Sequence, residues 1–425
     1  MPAHDELESI LDGVLAYLNG TLLPFWLDRC RDPEGGGFLT YFDRDGRRTG
    51  ETDKTFLMQI RTLYTLASAH RAGYGGGRCA ELAREGADFI LDHYWDDTHG
   101  GWIWIADRYG RPVSQAKIGY GQCFGVYAFS EYFLASGDPR GREAALRTYE
   151  TIQAHMADPA RGGYFEIMQR DWQPERPGTC GGDRKSLDVH MHMMEALTAL
   201  YEMTGDVTHR ERLLNCIELV TTRMLHPENG TGYIQFSLDF EPLPAILFEL
   251  EWGRDAEPAD GESQPLDMTS PGHNVEFAWL LLHTADILSI PRSNYGKAVK
   301  PLFDHCVNYG IDPEYGGVYA DVTMNGSPLK TEKQFWQQAE VLVGMLDAYA
   351  LFGDEIYWTA FQRVHGFVFE HFVHRAGGGE WFERVDRRGR PIDDALGHAW
   401  KINYHTVRSM IQTVARLDAL QAADV

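Results

Sequence analysis

Histidines gather in three short stretches of this chain, and they set the chemistry to look for. They are His190 and His192 in Lys185-Ser-Leu-Asp-Val-His-Met-His192, His273 in Ser270-Pro-Gly-His-Asn-Val-Glu276, and His405 in Trp400-Lys-Ile-Asn-Tyr-His405. A neutral imidazole accepts a proton near pH 7, so the reading is proton transfer. Ser270 suits an N-cap and Pro271 a first helical position. His273 then falls in the first turn, where the positive dipole end favours the neutral, base-competent ring. His273 and Glu276 share one face of a helix that is apolar all round from Phe277 to Leu282. A polar pair at the start of a buried helix needs a cavity or a partner. An active-site wall and a capping pair that ties down a loop both meet that need.

His190 and His192, two apart, point to different sides of a helix. One faces a lumen, and the other is a core histidine. Arg61, Glu195, Glu340 and Arg408 read as interhelical ion pairs, Glu340 and Arg408 above all. Tyr120, Trp336 and Trp400 offer flat faces beside hydrogen-bonding groups, as a sugar site requires. His-x-His with His273 and Glu276 has ligand-type side chains. No cysteine lies near and no His-Glu-x-x-His motif occurs, so no metal is expected. The chain has no Gly-x-Ser-x-Gly elbow, no Walker A loop, and no dinucleotide fingerprint in a βα context. Phosphate cofactors and serine nucleophiles are therefore poorly supported.

The elements that position these groups follow from a repeat. A Gly-Gly-aromatic signature occurs six times. The copies are Asp32-Pro-Glu-Gly-Gly-Gly-Phe38, Asp97-Thr-His-Gly-Gly-Trp102, Asp158-Pro-Ala-Arg-Gly-Gly-Tyr164, the looser His226-Pro-Glu-Asn-Gly-Thr-Gly-Tyr233, Asp312-Pro-Glu-Tyr-Gly-Gly-Val-Tyr319 and His374-Arg-Ala-Gly-Gly-Gly-Glu-Trp381. A recurring spacing marks a repeat architecture. The Asp-Pro and Gly-Gly pieces are turn chemistry, and the aromatic is expected to begin a short strand. After each signature comes a helix apolar on nearly all sides, near 54–71, 117–135, 185–204, 271–289, 331–352 and 401–420. Before each comes a one-sided amphipathic helix, near 6–29, 79–94, 140–156, 208–225, 296–309 and 355–373. Six buried helices alternating with six half-exposed ones predict an all-α (α/α)6 barrel, with residues 1–425 as one catalytic domain. Polar groups at the start of each inner helix, Lys117, Lys185 and Lys333 included, should gather at one mouth. The Pro- and acid-rich stretch 241–269 leads to that mouth.

A net charge of −23 argues against nucleic acid and anionic membranes as partners. No apolar run approaches the roughly 20 residues of a membrane span, and the first residues lack a secretory signal. Six scattered cysteines suit reduced thiols and a cytoplasmic protein.

These stretches make the chain resemble the N-acylglucosamine 2-epimerase superfamily, in its cellobiose and mannose 2-epimerase branch. The matching pieces are Lys185–His192, Gly272–Glu276, Lys333-Gln-Phe-Trp-Gln-Gln-Ala-Glu340 and Trp400–His405. The expected assembly is a monomer or homodimer. The resemblance implies an (α/α)6 barrel acting on a neutral reducing sugar. It implies inversion at C2 through an enediolate, with no metal or cofactor. It makes His273 and His405 the acid/base pair, Arg61 and His192 the holders of O1, and Glu276 the carboxylate that orients a catalytic histidine. Tyr120, Trp336 and Trp400 are implied to contact the sugar, with Asp188 beside them. Cellobiose enzymes carry Asn in place of Asp188 and Asp in place of Asn274. A 241–269 loop folded over the mouth would exclude a second sugar ring, which favours mannose and glucose. Aldose–ketose isomerase is the nearest rival. A glycoside hydrolase using Asp188 and Glu276, and a non-catalytic sugar-binding protein, are the readings from other classes.

Overall fold

Each signature folds as one tight turn in the computed structural model, which describes residues 4–248 and 263–423. In the first turn the Asp32 carbonyl accepts the Gly36 N–H and its carboxylate accepts the Glu34 N–H. Gly36 and Gly37 have φ of 79° and 60°, two left-handed residues in a row that only glycine takes without strain. The same glycine pair recurs at 100–101, 162–163, 316–317 and 378–379. The aromatic does not begin a strand. Phe38, Trp102, Tyr164 and Trp381 each close the turn with one isolated bridge, and strands such as Ile105–Ala106 follow later.

Side chains from the neighbouring helix staple these turns. Gln59 accepts the Phe38 N–H at 2.8 Å and donates to the Phe38 carbonyl at 2.8 Å. Gln122 and Gln338 do the same for Trp102 and Val318. His190 occupies this role in the third repeat, accepting the Tyr164 N–H at 3.0 Å. Asn274 does so in the fourth, at 2.9 Å from Gly232 N. The lysines expected at the mouth are also structural. Lys54, Lys117 and Lys185 lie fully buried against Asp32, Asp96 and Asp158 at 2.9, 3.1 and 2.9 Å, and Lys333 lies 3.5 Å from Asp312. Their ammonium groups brace the turns and are absent from the lumen.

Twelve helices stand among the described residues. The inner set is α2 (Phe56–Arg71), α4 (Gly119–Ser136), α6 (Leu187–Thr204), α8 (Pro271–Ile287), α10 (Phe335–Phe352) and α12 (Asn403–Ala423). The outer set is α1 (His4–Arg29), α3 (Gly76–His93), α5 (Pro139–Thr151), α7 (Val207–Arg223), α9 (Gly296–His305) and α11 (Glu355–Phe367). Inner helices pack side by side in chain order, and α12 packs back on α2. Short antiparallel pairs link the repeats: Lys54–Thr55, before α2, pairs with Ile105–Ala106 of the next hairpin. The Phe42 N–H closes the ring on the Gly397 carbonyl at 2.8 Å.

Two expectations change. Helix α1 is long and apolar enough, by length and composition, to cross a membrane, and half of its most apolar stretch is buried. Leu7, Leu11, Val14 and Leu18 pack in the core, and α1 lies on α12 as an outer helix. Of the 241–269 stretch, Pro242–Leu243 and Met268–Thr269 are strands. Its centre, 249–262, lies outside the described residues, and so does the expected cover over the mouth. The six cysteines are free thiols, five of them buried.

Candidate active site

The starts of the inner helices deliver the unusual side chains in two layers. Half-buried at the top are Asp188, His273, Trp336 and Trp400; buried beneath are Arg61, Tyr120, His192, Glu276 and His405. Ser270 caps α8 by accepting the His273 N–H at 3.3 Å, which fixes His273 in the first turn. Gly272 beside it leaves room for the Gln337 side chain and the Trp336 indole, because a Cβ there would lie 2.5 Å from Gln337 Cγ and 3.0 Å from Trp336 Cζ3.

The structure brings His273 and His405 together. Both face the Trp336 indole, with ring centroids 4.5 and 5.8 Å from it. His405 donates its Nδ1–H to Glu340 Oε1 at 2.6 Å, which leaves Nε2 as its free nitrogen. Burial pulls the His405 ring down to about 3, against the pull of Glu340. Burial also lowers His273, against Asp188. Both rings are therefore neutral at pH 7.

His192 has the opposite charge state. Its Nδ1 lies 2.8 Å from Glu195 Oε2 and its Nε2 lies 3.3 Å from Asp188 Oδ1. Burial pulls this ring down, but the two carboxylates outweigh it and raise it to about 9. Tyr120 Oη sits 3.4 Å from His192 Nε2 and also accepts from Arg61. The Arg61 guanidinium is caged by the rings of Tyr120, Phe124 and Tyr404, at 5.0, 4.3 and 4.6 Å. Among the described residues its buried Nε has no hydrogen-bond partner. The starts of the inner helices thus bring two neutral imidazoles close to one imidazolium and one guanidinium.

The role expected of Glu276 belongs to other residues. Glu340 holds His405 and Glu195 holds His192, whereas Glu276 accepts from Arg408 at 2.8 Å. Arg408 also donates to Glu340 at 2.8 Å and to Glu195 at 2.6 Å. One guanidinium therefore latches the carboxylates behind both histidines. Glu276 is pushed up by burial and by the Glu340 charge; Glu340 is held down because Arg408 and His405 outweigh its burial. The His192–Glu195 pairing had a local signal, since residues three apart share a helix face. Trp104, 6.4 Å from Trp400 between centroids, was missed; its signal is its place two residues after the signature aromatic.

Donor atoms of Glu276, Glu340 and His405 lie within 4.8 Å of one another, a spacing that suits a cation. The Arg408 guanidinium, bonded to both carboxylates, already supplies the positive charge there.

A pH profile follows from these charge states. We expect kcat/KM to hold from about pH 6.5 to 8 and to fall as His192 loses its proton near 9. His192 has a raised value, so its stabilising ion pairs are complete below pH 6.5 and lost through about 9. A basic limb near pH 6 to 7 in initial rates contradicts a charged His192.

Proton donors and acceptors among aromatic rings, set in a ring of helices, suit the chemistry of a carbohydrate isomerase, the class to which the relatives belong. The family model for N-acylglucosamine 2-epimerase (GlcNAc 2-epimerase) matches residues 36–409. The chain belongs to this family. It is 27% identical to a cellobiose 2-epimerase of Bacteroides fragilis, over 93% of this chain and 96% of that one. It is 23% identical to a D-mannose isomerase of Marinomonas mediterranea, over 95% and 96% of the two chains. The solved cellobiose 2-epimerase of Spirochaeta thermophila superposes with a TM-score of 0.85, at 27% identity and 98% coverage of both chains.

Proposed function

We propose that the protein is a sugar 2-epimerase that inverts C2 of a reducing aldose, with D-mannose and D-glucose as its pair. The observation that supports this reading is the pair of neutral imidazoles, His273 and His405, both packed against the Trp336 indole. In the opened sugar the C1 aldehyde acidifies the C2 proton, and one imidazole removes it. Charge moves to O1, where Arg61 and the His192 imidazolium stand ready. Preorganised donors of this kind are worth roughly a hundred- to thousandfold each. For the return, the other imidazole takes a proton from water as the sugar binds, and the enediolate anion, by raising its pKa, holds that proton until C2 accepts it; the proton removed from C2 passes to water in exchange. Glu340 and Glu195, both latched by Arg408, keep His405 and His192 in place.

Of the two positions that differ from cellobiose enzymes, Asn274 is a turn staple and bears little on the sugar. Asp188 lies in the mouth and does bear on it. Protonation of the same enediolate at C1 gives a ketose, so the rival product is fructose. Incubating mannose, glucose and cellobiose with the protein and separating the products tests the proposal. Glucose from mannose is expected. Fructose as main product overturns the epimerase reading, and faster turnover of cellobiose overturns the monosaccharide.

A further inference from the structure

The two histidines differ in their access to water, and Asp188 stands on only one side of that difference. The His273 side chain is 29% exposed and that of Asp188 30%, whereas that of His405 is 8% exposed. Asp188 Oδ1 lies 3.7 Å from His273 Nε2 and 3.3 Å from His192 Nε2; it is buried and, among the described residues, makes no hydrogen bond, His192 approaching it as an ion pair. The rest of the carboxylate reaches the open mouth. His405 has no such neighbour. Its carboxylate partner, Glu340, is 1% exposed and is bound by Arg408 and by Trp279 Nε1 at 2.9 Å.

We propose that Asp188 is the proton outlet of His273, so that a proton taken by His273 exchanges with solvent while one taken by His405 stays until it is returned. The inference rests on the two-imidazole reading above. In this relay Asp188 acts through His273 and does not touch C2. The step is a proton relay. The His273 imidazolium gives its Nε2 proton to Asp188 Oδ1, rotation about Cβ–Cγ turns the protonated oxygen to the mouth, water takes the proton there, and the imidazole is neutral again. About 1 Å of side-chain movement brings the 3.7 Å pair to hydrogen-bond distance. His192, on the same oxygen, keeps the carboxylate aimed at the cavity.

The outlet makes the two sugar epimers behave differently in D2O. The epimer deprotonated by His273 exchanges its proton while the enediolate is bound, and internal return gives recovered substrate with deuterium at C2. The epimer deprotonated by His405 is recovered with hydrogen. The test starts separately from D-mannose and D-glucose in D2O, stops each below a tenth of conversion, and measures deuterium at C2 of the unreacted sugar per molecule inverted. We expect this exchange-to-inversion ratio to differ about tenfold between the epimers. Asp188→Asn should lower the larger ratio at least threefold and leave the smaller one unchanged, and Asp188→Glu should restore it. Equal ratios for the two epimers, or a ratio that Asp188→Asn does not move, overturn the proposal. A merely structural Asp188 changes kcat or KM without moving the ratio. Inversion of neither sugar by the wild-type protein is a different result, and it overturns the epimerase reading itself.

Discussion

His405→Ala should lower kcat by roughly a hundred- to ten-thousandfold, the range for a positioned acid/base group. His273→Ala should fall in the same range. The fold should survive both changes. Glu340 keeps its bonds to Arg408 and to Trp279 Nε1 when the His405 ring is gone. His273 makes no side-chain hydrogen bond among the described residues, only ring contact with Trp336 and an ion-pair approach to Asp188. Near-native thermal unfolding together with the activity loss is the expected pair of results. Normal turnover in either variant removes that residue from the chemistry.

The second large effect concerns stability. Arg408→Leu removes one buried guanidinium from three buried carboxylates, Glu195, Glu276 and Glu340. Breaking a buried ion pair from one side costs about 3–5 kcal/mol, because the remaining charge has no partner. Glu195 retains Tyr404 and His192, and Glu340 retains His405, so the three acids are not equally stranded. Glu276 has no other donor among the described residues. Urea unfolding should show the loss directly, and Glu276→Gln in the Arg408→Leu background should recover part of it. A loss below about 1 kcal/mol, the ordinary scale of exposed pairs, contradicts the latch.

Local chemistry made the architecture legible. Asp-Pro-x-x-Gly-Gly states a turn with two left-handed residues, and the alternation of buried and amphipathic helices states two rings. The same repeat held the answer for His190, which stands where Gln59, Gln122 and Gln338 staple their turns. It also held the answer for the lysines: Lys54, Lys185 and Lys333 reach the aspartate of a signature, and Lys117 reaches Asp96, one residue before the signature at Asp97. What no local pattern carried was the partnership behind the histidines. Glu340 and His405 come from different helices, and Arg408 joins three helices at once. Such pairings arise only when the ring closes, which is why Glu276 looked like the orienting carboxylate and Glu340 like a strut.

A crystal structure with an open-chain alditol, D-mannitol or D-glucitol, in the cavity is the most direct measurement. Its C2 should lie between His405 Nε2 and His273 Nε2, each within roughly 3–3.5 Å, one on either side of the carbon. The O1 end should point toward Arg61 and His192. Both imidazoles on the same side of C2, or either ring turned away from it, contradicts the mechanism.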